Sequence, residues 1–258
     1  MKILHCSDVH LDSPLSGLGP NAKIRRDEIS AGFCELVDYA AREADALIIA
    51  GDLFDGASPR EKTVRAVADA FGAAKNLRIF WLSGNHDAKG LDKRVIRSLP
   101  ENVFTFEKQL TYDLGAVSVS GSEAGQRGEF LLDEHKFNVL VLHGDEKSLD
   151  FKRLEKLPVD YFAMGHWHAF SRRDFGRGIM CYPGAPEPRG FDETGETGFV
   201  LLDTDKKGLD KILHLNRAKR KIVTKTLDIT GISSDYELGA AFERLTENVS
   251  DRDYLNLI

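Results

Sequence analysis

Five short polar clusters along this chain combine aspartate, histidine and asparagine in patterns that could hold metal ions. They are Asp8 with His10, Asp52, Asn85 with His86, His143, and His166 with His168. Of the eight histidines, five fall in these clusters, while His5, His135 and His214 lie outside. In Asp8-Val9-His10 the polar side chains are two residues apart. An extended segment would send both to one side and Val9 to the other. The same spacing holds for His166 and His168 around Trp167, so each pair can offer two ligands to one cation. Glycines at 51, 84, 144 and 165 let the backbone turn sharply beside these groups.

Imidazole nitrogen mixed with carboxylate and amide oxygen, without thiolate, suits Mn²⁺, Fe²⁺ or Zn²⁺ better than Ca²⁺ or a structural zinc. The seven candidate ligands are Asp8, His10, Asp52, Asn85, His143, His166 and His168, too many for one ion and enough for two. Two cations held about 3.5–4 Å apart need a shared carboxylate. Asp52, in the middle of the set, is the natural bridge. Taken singly, each cluster has a plainer reading. A histidine after a strand is usually a hydrogen-bonded loop residue, Gly-Asp is an ordinary turn, and Gly-Asn-His-Asp can be a turn built on Asn and Gly. All five plain readings would have to hold together for the chain to lack a metal centre.

The elements that must position these clusters are legible. Apolar runs over 2–7, 46–50, 78–82, 139–142 and 160–164 have strand length, and each ends at or just before one of the clusters. Open α/β sheets place their sites at such carboxyl ends. Between them, 23–44 has helical spacing, with Ile24, Phe33, Leu36, Val37 and Ala40 able to share a face, and 60–75 is again helical. Alternating strands and helices indicate a layered α/β fold. Residues 111–113 and 116–120 flank Leu114-Gly115 as a hairpin. Residues 198–203, 211–215 and 222–227 read as strands, 236–249 as an amphipathic helix and 254–258 as a further strand. The expected division is a main domain over 1–218 and, over 219–258, the start of a capping or accessory domain that is cut short.

A hydrophobic share of 42% and a charged share of 29% are those of a soluble globular protein. No apolar run approaches the roughly 20 residues that span a bilayer. The first residues, Met-Lys-Ile-Leu-His-Cys, are too short and polar for a secretory signal. A cytoplasmic location without membrane association is expected. Cys6, Cys34 and Cys181 are odd in number and widely spaced, in keeping with buried free thiols. The net charge of −6 argues against a general nucleic-acid coat but leaves a DNA enzyme open, because site carboxylates are counted and their cations are not. Arg25/Arg26, Arg94/Arg97, Arg172/Arg173 and the 217–225 run are candidates for phosphate contacts, or else solvated surface. The Gly-, Pro- and charge-rich stretch 184–196 is a long loop that either shapes access to the last ligand pair or only connects strands.

The order Asp-x-His, Gly-Asp-x-x-Asp, Gly-Asn-His-Asp, His, Gly-His-x-His resembles the calcineurin-like metallophosphoesterases over roughly 1–204. Within them the chain looks like the bacterial SbcD- and YhaO-type DNA repair exonucleases, relatives of the meiotic-recombination nuclease. The finer resemblance rests on residues 10–15, 51–55 and 182–188. It implies a four-layer α/β/β/α sandwich, with one metal held by Asp8, His10, Asp52 and His168 and a second by Asp52, Asn85, His143 and His166. It further implies that His86 faces the substrate and that Asp87 orients it. The archaeal and eukaryotic nucleases carry a histidine where this chain has Asp55, a departure that draws the resemblance toward the bacterial branch. The expected activity is two-metal phosphodiester hydrolysis on DNA with two divalent ions, Mn first among them. An SMC-like ATPase partner and a homodimer are further implications. Other phosphodiesterases or phosphoprotein phosphatases would share the same centre, and a scaffold that keeps the fold without the chemistry is the alternative of another class.

Overall fold

The alternation of apolar strands and helices resolves into two six-stranded sheets and a separate strand pair. The computed structural model describes residues 1–56, 58–87, 93–106, 110–122, 130–193, 195–205 and 208–258, the side chains at 93, 94 and 96 excepted. The first half runs β1 (Lys2–Cys6), α1 (Ala22–Glu43), β2 (Ala46–Ala50), α2 (Glu61–Ala73), β3 (Arg78–Leu82), α3 (Lys93–Ser98), β4 (Val103–Thr105), β5 (Thr111–Asp113) and β6 (Val117–Gly121). It continues through β7 (Phe137–His143), α4 (Phe151–Leu154), β8 (Tyr161–Gly165), β9 (Ser171–Phe175) and β10 (Gly178–Tyr182). Last come β11 (Phe199–Asp205), β12 (Gly208–Leu215), β13 (Ile222–Lys225), α5 (Asp235–Thr246) and β14 (Tyr254–Leu257).

The first sheet has the order β12-β11-β1-β2-β3-β4 and the second β5-β6-β7-β8-β10-β9. β1, β2, β3 and β4 pair in parallel, as do β6, β7, β8 and β10, so several strand ends with their loops point the same way within each sheet. β2 shows why the sheets stack. All five of its residues are apolar and buried. Leu47 and Ile49 face the helices, where they join Phe33, Leu36, Val37, Val67 and Phe71. Ala46, Ile48 and Ala50 face the second sheet, where they join Val139, Val141, Tyr161 and Ala163. The period-2 alternation of a strand covered on both sides thus feeds two cores. A third core lies on the outer face of the second sheet, where Leu140, Phe162 and Met164 pack with Phe151 and Leu154 of the short α4. The layers are α/β/β/α, with the last one thin.

Two expectations need correction here. Ile24 does not share the inward face of α1; it is 54% exposed, and Ile29 and the fully buried Arg25 take the inward positions. The helical phase sets this, since Arg25, Ile29, Phe33, Leu36 and Ala40 recur at intervals of three and four. Cys6 and Cys181 are buried free thiols, but Cys34 is only half-buried.

After β12, β13 and β14 pair in parallel and α5 joins them, forming a small β-α-β unit. Ser234 caps α5 by accepting the Glu237 amide at 3.2 Å, while Glu237 accepts the Ser233 amide at 2.8 Å. No residue of α5 is buried. Among the described residues, no helix is long and apolar enough to cross a membrane.

Candidate metal centre

The loops that leave β1 and β2 are stitched together by their backbones. Asp8 N–H donates to Gly51 O at 3.0 Å, His10 N–H to Asp52 O at 2.9 Å and Leu11 N–H to Leu53 O at 2.9 Å. Asp8, His10, Asp52 and His166 all have positive φ, at 55°, 49°, 52° and 107°. For such residues this conformation costs of order 1 kcal/mol or more each, and it clusters at functional sites. The extended-segment reading of Asp-x-His and His-x-His is therefore corrected. β1 ends at Cys6 and β8 at Gly165, and left-handed turns, not strand alternation, aim the paired side chains.

These turns require glycine at close approaches. A Cβ on Gly84 would lie 2.1 Å from Asp52 Oδ1, and one on Gly165 would lie 1.8 Å from the Ala50 carbonyl oxygen. Both sites leave no room for any side chain.

All seven candidate ligands converge. Asp8, His10 and His168 bring donor atoms within 4.8 Å of one another, as do Asp8, Asp52 and His143. Asp52 lies between two halves: its Oδ2 is 3.6 Å from His10 Nε2 and 3.3 Å from His143 Nε2. Asn85 Oδ1 is 2.9 Å from His143 Nε2 and 3.2 Å from His166 Nδ1. His168 Nε2 is 3.8 Å from Asp8 Oδ1. The set fits divalent cations on its own chemistry. His10 Nε2 is buried and has no hydrogen-bond partner, although it is aimed at a carboxylate.

The titration of the groups follows from their surroundings. Burial alone would raise the Asp52 carboxyl, but the His143 hydrogen bond and charge, the His86 amide and the His10 charge hold it at about 2. Burial would lower His143, yet Asp52 and Asp8 raise it to about 9. Burial lowers His10 against the opposing pull of Asp55. Asp87 is fully buried, and burial, together with the Asp52 charge, lifts it to about 7.

Asp87 does not meet His86 in the way the resemblance implied. Its oxygens accept the backbone amides of Gly84 and Leu53, the latter at 2.9 Å, so it ties the two ligand loops together. Asp55 is the carboxylate that faces His86, with 3.4 Å between Oδ1 and Nδ1. The same Asp55 oxygen is 2.9 Å from His10 Nδ1. His86 is about half exposed, and its ring stands edge-on to His10 at 4.7 Å between centroids.

Sequence reasoning missed Arg189 and Glu193. Glu193 accepts from His168 Nδ1 at 2.8 Å, and Arg189 spans Glu193 and Asp55. Both lie in the 184–196 stretch, whose charge content next to the last ligand pair was the available signal. Arg25 is corrected as a phosphate contact: it is fully buried against Glu187, Glu28 and the Pro188 carbonyl. Arg220 and Lys219 pair with Glu28 and Glu35, and Arg217 lies over the Tyr39 ring. Arg172 and Arg173 are exposed on the edge strand β9, and the Arg94 side chain lies outside the described residues.

The fold and centre define a phosphoesterase, and comparison with known proteins agrees. The calcineurin-like phosphoesterase family matches residues 1–191, and the chain belongs to it. The metallophosphoesterase YhaO of Bacillus subtilis is 26% identical over 233 residues, covering 78% of this chain and 57% of that protein. The DNA double-strand break repair protein Mre11 of Methanopyrus kandleri is 26% identical over 253 residues, covering 81% and 55%. The chain thus spans little more than half the length of these relatives. A solved archaeal phosphodiesterase superposes with a TM-score of 0.50 at 16% identity, covering 83% of this chain and all of that one, which speaks to the fold alone.

Proposed function

We propose that this chain is a metal-dependent DNA phosphodiesterase acting in DNA repair, with exonuclease activity its main mode. The observation that carries the chemistry is Asp52, placed between His10 Nε2 at 3.6 Å and His143 Nε2 at 3.3 Å. One carboxylate is thereby poised to be shared by two cations. Asp8, His10, Asp52 and His168 would hold the first ion, and Asp52, Asn85, His143 and His166 the second. When bound, two such ions lower the pKa of a water toward neutrality and offset charge on the phosphoryl oxygens.

The chain's own residues supply the rest. With Nδ1 turned to Asp55, His86 presents Nε2 to the substrate as the group that steadies the phosphoryl oxygens and protonates the departing sugar oxygen. Asp87, through the Gly84 and Leu53 amides, fixes the loop on which Asn85 and His86 sit. The DNA assignment is supported by similarity to Mre11 and by Trp167, an aromatic residue about half exposed between two ligands on the rim of a cavity of roughly 580 Å³. Exposed aromatics of this kind stack on unpaired bases. An SMC-like ATPase partner, homodimerisation and a cytoplasmic location belong to the same proposal.

One observation favours a second reading, a phosphodiesterase or phosphatase of smaller substrates. The cavity beside His166 and His168 is lined by Asp145, Asp192 and Glu193, and among the described residues no Lys or Arg side chain lines it. Digestion of an end-labelled DNA duplex in Mn²⁺, with chelator and His86→Ala controls, separates the two. DNA shortening that depends on metal and His86 supports the nuclease. Turnover of bis(p-nitrophenyl) phosphate without DNA cleavage supports the second reading.

A further inference from the structure

The two halves of the centre are backed differently. On the side of Asp8, His10 and His168, each histidine turns its outer nitrogen to a carboxylate: His10 Nδ1 to Asp55 Oδ1 at 2.9 Å and His168 Nδ1 to Glu193 Oε1 at 2.8 Å. Between those carboxylates lies Arg189. Its Nε donates to Glu193 Oε1 at 2.9 Å, Nη2 forms an ion pair with the same oxygen at 2.8 Å, its backbone amide donates to Glu193 Oε2 at 2.8 Å, and Nη1 reaches Asp55 Oδ1 at 3.5 Å. Nη2 is also 3.1 Å from His168 Nδ1. The three side chains are 16%, 14% and 7% exposed for Arg189, Asp55 and Glu193. The loop that presents Arg189 is anchored in turn, because buried Arg25 holds the Pro188 carbonyl and the Glu187 carboxylate.

On the other side, among the described residues His143 Nδ1 meets only the Ala50 carbonyl, at 2.9 Å, and His166 Nδ1 points at Asn85. Among the described residues, no carboxylate accepts a hydrogen bond from the outer ring nitrogen of His143 or His166. A carboxylate behind a ligating imidazole fixes its tautomer and orientation and raises its basicity, and losing one typically weakens metal affinity by about 10- to 100-fold. Two carboxylates placed this close would repel and drift apart without a shared cation. A planar guanidinium meets both at once, which a lysine ammonium does less well.

We infer that Arg189 is a positioning residue that locks Asp55 and Glu193 behind His10 and His168, making their cation position the tighter of the two. This rests on the two-cation reading above. It assigns unequal roles to the ions: one resident and one exchanging.

The test is Mn²⁺ titration of the 258-residue chain by calorimetry, with free Mn²⁺ counted by electron paramagnetic resonance. The wild type should show two classes of site. Arg189→Met and Glu193→Gln should weaken the tighter class by about 10- to 100-fold and leave the weaker class unchanged. Glu193→Gln keeps the side-chain size and gives a second measure should Arg189→Met fold poorly. Arg189→Lys should weaken the same class less, and His143→Ala should remove the weaker class alone. Equal loss of both classes in the Arg189 and Glu193 variants, or no loss in variants with unchanged circular dichroism, would overturn the inference. A wild type that binds only one ion would overturn the two-cation reading as well, so the two failures are distinguishable.

Discussion

His10 donates through Nδ1 to Asp55 Oδ1 at 2.9 Å, while its Nε2 is buried without a partner 3.6 Å from Asp52. Leaving such a polar atom unsatisfied costs about 1–3 kcal/mol. A cation at this point removes that cost, so the folded chain should be stabilised by metal. With free Mn²⁺ at a hundredfold excess over Kd, one site adds about 2.7 kcal/mol. Thermal melts in Mn²⁺ and in chelator should therefore differ by several degrees. Superimposable melts would count against a metal centre here.

Asp52 and His86 should fail differently. Asp52 faces both halves of the centre, so Asp52→Ala should lose activity and leave less metal on the purified protein. His86 is half exposed and turned toward Asp55, so His86→Ala should keep its metal and lose about 10²–10⁴ in kcat. Metal analysis beside bis(p-nitrophenyl) phosphate turnover reads both. A near-normal rate in His86→Ala with metal retained would remove it from the chemistry.

Most of this centre was legible because metal ligation demands particular side chains at strand ends. Asp8, Asp52, Asn85, His143 and His168 could be picked out by type and context alone. The route to their convergence was not, since nothing in Asp-x-His distinguishes an extended pair from one aimed by positive φ. Arg189 and Glu193 stayed hidden for a related reason. Their roles depend on a loop folding back onto His168 and Asp55, a long-range contact without a period in the sequence. The strand β9 was also unread, because Arg172, Arg173 and Asp174 replace the apolar run that marks a buried strand.

Gly165 and Gly72 offer a matched pair of substitutions. A Cβ at Gly165 meets the Ala50 carbonyl oxygen at 1.8 Å, and backbone cannot yield as a side-chain tip can. Gly165→Ala should unfold the ligand loop, costing more than about 3 kcal/mol, as severe overpacking does. Gly72 lies in α2 with nothing within 4 Å of an added Cβ. Gly72→Ala should be neutral or stabilising by about 0.5–1 kcal/mol, from helix propensity. Urea unfolding of the two variants gives the comparison, and equal effects would contradict the crowding at Gly165.

The contact between the C-terminal unit and α1 should be sensitive to acid. Hydrogen bonds from Arg220, with help from Arg25, hold the Glu28 carboxyl below its ordinary value of 4.5. A depressed carboxyl stabilises the fold fully above the unfolded value and loses that contribution as pH falls through the folded one. Wild type and Glu28→Gln should thus differ in Tm near neutrality and converge as the pH drops below about 4.5. A gap that stays constant down to pH 3 would mean that the pair contributes through packing and not through charge.

Arg25 shares the Glu28 carboxylate with Arg220 from within α1 and supports the Arg189 loop. Its guanidinium is fully buried and donates to Glu187 Oε2 at 2.6 Å, where Glu187 is itself 5% exposed. Such a pair gains little over an apolar replacement, but breaking it strands one charge, at a cost of about 3–5 kcal/mol. Arg25→Met should therefore destabilise strongly by leaving the buried Glu187 carboxyl, already raised above its ordinary value by burial, without its guanidinium partner. Glu187→Gln keeps an acceptor for the Lys219 amide and removes the charge. The double variant should recover a substantial part of the loss, and a double-mutant cycle by urea unfolding measures the coupling. Additive losses in the cycle would show that the two residues support the loop separately, and the link from α1 to Arg189 would then have to run through the Pro188 carbonyl alone.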